Sequence, residues 1–62
     1  MALLYRVVVF GKPKGPWRFK RRDAQQDAIE LDLGGYDEWG SFYISVPADI
    51  EWMREEQVRL SA

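Results

Sequence analysis

The two side chains that most often carry catalysis, histidine and cysteine, are both absent from this 62-residue chain. The commonest general base and the strongest nucleophile are therefore missing. So are the usual zinc ligands and any disulfide. Ser41, Ser45 and Ser61 have no imidazole to activate them, and no supporting motif makes a Ser-Lys dyad. The nearest approach to an acid pair is Asp37-Glu38. Glycosidases and metal-dependent nucleases set such carboxylates across a cleft, whereas adjacent acids in a turn read as solvated turn residues. Gly34-Gly35 is not followed by a G-x-G-x-x-G or Walker pattern and precedes no helix start, so it is no phosphate cradle. No loop has the acidic spacing of an EF-hand. The chain reads as non-enzymatic, with no catalytic, cofactor-binding or metal-ligating residue and no small-molecule substrate indicated.

Charge is more informative. Arg6, Lys12, Lys14, Arg18, Lys20, Arg21 and Arg22 give residues 1–22 a net +7 without a single acid. Residues 23–62 carry ten acids against Arg54 and Arg59, a net −8, so the overall −1 hides a strong division. Such asymmetry points to a basic surface, an acidic one, or mutual neutralisation within the fold. Lys12, Lys14, Arg18, Lys20 and Arg22, interleaved with Trp17 and Phe19, suit a ribbon that follows a phosphate backbone. The same alternation also fits aromatics turned to a core with cations on a solvated edge, and the acidity of the whole weakens a nucleic-acid role.

Two tryptophans fall off every predicted apolar face. Trp39 lies in a turn, and Trp52 sits beside the stripe of the last helix. Exposed tryptophan is enriched at interfaces. Trp39 and Trp52, with Glu51, Glu55 and Glu56 on the acidic last helix, are therefore the expected contacts for a protein partner or a second copy. Glu55 and Arg59 are also spaced as an i, i+4 ion pair.

The elements that must position these groups are short. Leu3–Phe10 is apolar at both odd and even positions, as a strand covered on both faces would be. Gly11–Pro16 reads as a loop, and Trp17–Arg21 as a second, half-buried strand closing a hairpin. Asp23 with Gln26 forms a capping box for a helix over 24–33, with Ala24, Ala28 and Leu31 on its inner face, Ile29 beside them and Gly34 as C′. Ile29–Leu33 also alternates like a strand, so that segment keeps two readings. Asp37–Gly40 is a tight turn with Gly40 left-handed. Ser41–Val46 is a third strand, and Pro47 opens a last helix over about 48–60.

The plan is one α+β domain over 1–62, β-β-α-β-α. A three-stranded, mainly antiparallel sheet of order 2-1-3 keeps the most apolar strand central, as a right-handed crossover after the helix also requires. A chain this short buries roughly 60% of its unfolded surface, so its margin of stability is thin. Three each of Trp, Tyr and Phe must supply the packing. The N-terminal apolar run, broken at Arg6, is no signal peptide and too short to cross a bilayer. An intracellular, cytoplasmic protein with no membrane partner is expected.

Overall fold

The computed structural model describes residues 2–61. The β-branched and aromatic run Leu3–Val9 forms β1, which does hold the centre of a three-stranded antiparallel sheet. Phe10 (φ 53°) and Gly11 (φ 77°) then make a two-residue turn with both central φ angles positive, the type I′ geometry that matches strand twist. β2 (Lys12–Pro13) returns along β1 with Val9 opposite Lys12 and Val8 opposite Pro13. The expected loop over 11–16 is thus shorter, and pairing begins inside it.

The expected strand over Trp17–Arg21 contracts to a single bridge. Arg18 and Tyr5 exchange both backbone hydrogen bonds, at 2.7 and 2.8 Å, and Lys14 N–H donates to the Val7 carbonyl at 2.8 Å. Helix α1 (Arg21–Glu30) starts directly after, two residues ahead of the predicted cap. Lys20 is the N-cap without a side-chain cap bond, and Asp23 lies in the first turn, where a negative charge suits the helix dipole. The helical reading of this segment prevails over the strand. Its C-terminus closes on Asp32 (φ 62°) instead of Gly34. Leu33 N–H bonds the Ala28 carbonyl and Asp32 N–H bonds that of Ile29, the two bonds of a Schellman motif.

Gly34 is needed elsewhere. It opens β3 (Gly34–Tyr36), which pairs with β4 (Phe42–Ile44) as a separate two-stranded hairpin. A Cβ on Gly34 would stand 2.6 Å from the Tyr43 carbonyl oxygen. The segment expected as the third strand of the main sheet is therefore half of this hairpin. Its place beside β1 is taken by β5 (Ala48–Arg54), where a helix was predicted. The physical reason is register. As a strand, this segment sets Ile50 opposite Val7, Met53 opposite Leu4 and Glu51 opposite Arg6. As a helix it had only a ragged stripe. Only Glu55–Ser61 remains helical, as α2. The α+β class, the central position of β1 and a C-terminal helix stand as read, with β3 and the strand character of β5 added to the plan.

The molecule measures 39 × 23 × 14 Å, so few side chains can be far from solvent. Its buried apolar side chains are Leu4, Val7, Val8, Ala24, Ala28 and Ala48. The inner face of α1 is Ala24, Asp27 and Ala28; Leu31, expected there, is exposed. No helix among the described residues is long and apolar enough to cross a membrane.

Two substitutions test this backbone reading by denaturant titration. Phe10→Asn should raise stability by about 1 kcal/mol, because Asn tolerates the left-handed region that a bulky side chain resists. Gly34→Ala should lower it by roughly 1–3 kcal/mol, since the hairpin backbone must part to admit the methyl group. Opposite signs would contradict the turn type and the β3–β4 approach.

Candidate functional site

The basic segment does not present its side chains as simple alternation suggests. Arg18 pairs with Tyr5, and opposed residues in a ladder share a face. That face carries Val7, near which Asp27 of α1 lies: a Cβ on Gly15 would be 3.8 Å from Asp27 Cβ and 4.0 Å from Val7 Cβ. The Arg18 guanidinium, itself still open to water, reaches α1 and meets Asp27 in a two-pronged pair, Nε to Oδ2 at 2.7 Å and Nη2 to Oδ1 at 3.0 Å. These hydrogen bonds, and then the carboxylate charge, push the Arg18 pKa above its ordinary value. Asp27 is the one buried charged residue among those described, and the sequence reading overlooked it. The signal was a lone acid between two alanines on an apolar helix face.

The aromatics on either side of Arg18 take the other direction. Trp17 is half-buried, with the Arg6 guanidinium carbon 4.1 Å from its ring centroid. Arg6 also donates from Nε to Glu51 Oε2 at 2.7 Å. Trp17 is thus covered by a cation instead of being open to a base. Phe19, placed with the core by alternation, is 65% exposed. Lys12, Lys14, Lys20, Arg21 and Arg22 remain at the surface. Of the seven N-terminal cations, Arg6 and Arg18 are thus tied to acids of the C-terminal remainder.

The acidic candidates divide in the same way. Glu51 lies on β5, not on the last helix, and is bound to Arg6. Glu55 accepts from Arg59 Nη2 at 2.7 Å, the expected i, i+4 pair, and Glu56 is exposed on α2. Asp37 is no free carboxylate either. Its Oδ1 accepts the backbone N–H groups of Trp39 and Ser41, each at 2.9 Å, which fixes the β3–β4 turn. Gly40 takes the left-handed conformation there, at φ 80°. The hairpin is braced by Tyr36 and Phe42, edge to face at 6.0 Å. That turn holds Trp39 out with 82% of its surface exposed.

Trp52 stands opposite Tyr5 on β5 and is 62% exposed. Phe10, at the β1–β2 turn, combines a left-handed backbone with 81% exposure. A bulky residue in that region carries strain that no packing of its ring offsets, and such positions cluster at functional sites. Sequence gave no sign of it, because the strand pattern ran through Phe10 without a break. No group of three or more acids positioned to hold a metal ion occurs among the described residues. Two open hollows flank the fork: one of about 150 Å³ beside Lys14, Gly15, Pro16 and Asp27, and a wider one of about 350 Å³ between Arg18, Asp23, Gln26 and Glu30.

The two members of the Arg18–Asp27 pair differ in exposure, 43% against 10% for their side chains, and this sets an order of effects. Arg18→Met strands a buried carboxylate, whereas Asp27→Asn leaves a cation that water can reach. Arg18→Met should therefore lower the thermal midpoint more than Asp27→Asn. The double variant Arg18→Met/Asp27→Leu should recover most of the loss. Equal single effects with no recovery would show that the fork does not couple the segment to α1.

No protein-family model, curated protein or solved structure matches this chain, so the assignment of function rests on these surfaces alone.

Proposed function

We propose that the protein is a non-catalytic protein-interaction module that associates with itself or with a protein partner through its exposed aromatics, Trp39 and Trp52 foremost. The observation that carries this reading is surface area. The chain exposes 4735 Å², against about 4,200 Å² for a compact monomer of its mass by the usual scaling. The excess, roughly 500–600 Å², lies in the range of a small interface per partner. Large apolar side chains contribute to the exposed surface: Phe10, Phe19, Trp39, Val46, Trp52 and Leu60 each expose more than half of theirs. Scattered single apolar residues need no explanation, but two tryptophans on rigid strand and hairpin positions supply large contact area at low entropic cost.

A second reading, nucleic-acid binding, draws support from one feature. Phe19 is exposed beside Lys20, Arg21 and Arg22, with Lys12 and Lys14 also at the surface. Arg18 and Trp17 are engaged within the fold and contribute little to it.

Sedimentation velocity across the micromolar range, with affinity capture by the wild type, Trp39→Ala and Trp52→Ala, tests the first reading. Mass should rise with concentration, or the set of bound proteins should shrink with one of the substitutions. A strict monomer whose bound proteins are the same in all three would refute it. For the second reading, labelled DNA or RNA at low salt is decisive. Binding should weaken steeply as salt rises, and no shift at low salt removes the idea.

A further inference from the structure

The β3–β4 hairpin gathers aromatic side chains that the core does not use. Tyr36, Trp39 and Tyr43 each expose more than half of their surface. Their backbone is nevertheless fixed. Besides the two amides that Asp37 Oδ1 accepts, the Asp37 N–H donates to the Ser41 carbonyl at 2.9 Å and the Gly40 N–H to that of Asp37 at 3.0 Å. Tyr43 is held on one side as well. A Cβ on Gly35 would stand 3.1 Å from its hydroxyl oxygen and 3.3 Å from Cζ, so that end of the ring lies against the glycine. The hairpin also falls in a stretch without cations: residues 23–53 hold eight acids and neither Lys nor Arg. Arg18 and Arg6 neutralise Asp27 and Glu51, but among the described residues no ion pair reaches Asp37 or Glu38. β3 packs on α1, whose two arginines begin the helix, whereas Glu30 and Asp32 stand at the end nearest β3. Exposed aromatic faces beside uncompensated carboxylates repel phosphates and suit a cation.

The fold itself contains one instance of how these two kinds of group hold a guanidinium. The Arg6 guanidinium carbon lies 4.1 Å from the Trp17 ring centroid while its Nε donates to Glu51 at 2.7 Å. Glu38 and Trp39 offer the same two groups on neighbouring residues of the turn, both exposed and with no cation of the chain paired to that carboxylate. We infer that the β3–β4 hairpin docks an arginine-bearing segment of a partner protein, with a guanidinium laid on the Trp39 indole and paired to Glu38. The inference rests on the interaction reading above and names the chemistry of the partner. Arginine fits better than lysine, because a planar guanidinium can stack on a ring and still direct N–H groups to a carboxylate. Asp37 adds its charge from within the turn that it braces.

Titration of the wild type at low salt, followed by nuclear magnetic resonance, tests this without any variant. The probes are short unstructured peptides rich in arginine, lysine, glutamate or proline. The arginine peptide should move the Trp39 indole N–H and the amides of residues 35–43, and its affinity should fall as salt rises. The lysine peptide should bind more weakly, and the other two not at all. Trp39→Leu keeps apolar area and loses the ring face, and Glu38→Gln keeps shape and loses the charge. Each should weaken the arginine peptide about two- to fivefold, as one exposed contact of its kind is worth, with the circular dichroism spectrum unchanged. No binding at low salt overturns the inference. So does equal binding of the proline peptide, or an arginine-peptide affinity that neither variant lowers. Hairpin shifts driven by protein concentration alone would give this surface to a second copy and also overturn it. If the arginine peptide fails while Trp39→Ala still removes bound proteins, the wider interaction reading stands and only the partner's chemistry falls.

Discussion

The fork between Arg18 and Asp27 is the contact on which the arrangement of the rest depends. It joins the segment after β2 to the inner face of α1, over the face of β1 that holds Val7. Helix α1 offers that face little apolar area, since Ala24 and Ala28 are its other buried residues. Hydrophobic burial by two methyl side chains is small, on the order of the transfer of a few methylene groups. A bidentate charge-assisted pair supplies direction where area is lacking. It fixes how far along β1 the helix sits, and from there the chain proceeds to the β3–β4 hairpin through Leu33, whose carbonyl accepts from Ser45.

This fork also changes the meaning of the charge division. A +7 segment and a −8 remainder left open a basic surface, an acidic one or mutual neutralisation within the fold. In the fold, Arg6 with Glu51 and Arg18 with Asp27 cross that division. Part of the asymmetry is thus how distant segments find each other. What stays outside is a smaller basic group around Lys20–Arg22 and an acidic one reduced by Arg59. The aromatics follow the same logic in reverse. Trp17, flanking Arg18, is covered by Arg6, whereas Trp39 and Trp52 are held out by a fixed turn and a paired strand. Asp27, a charge, has gone in, and Phe19, expected inside, has come out.

The exposure and pairing of several candidate residues were legible in the sequence. Trp39 and Trp52 stood out because neither fitted an apolar face, and both are exposed. Glu55 and Arg59 were set by spacing within a helix and do pair. Asp27, Phe10 and the strand character of Ala48–Arg54 were not legible. Each depends on a residue far away in the chain: Asp27 on Arg18, the β5 register on Arg6 and Val7, and Phe10 on where β2 turns back. Local pattern carries no information about such partners.

The sequence by itself determined the absence of His and Cys chemistry, the central strand and the helix after the basic segment. Composition and short-range periodicity decide these. Tertiary structure decided which later segment lies beside β1, because a strand apolar on both faces accepts the neighbour with the longest complementary register. Seven residues of β5 outmatch three of β4. It also decided that, among the described residues, the outer edge of that strand, with Trp52 on it, has no neighbouring strand. No pattern within 62 residues could specify that edge, because an edge exists only once the order of strands is set.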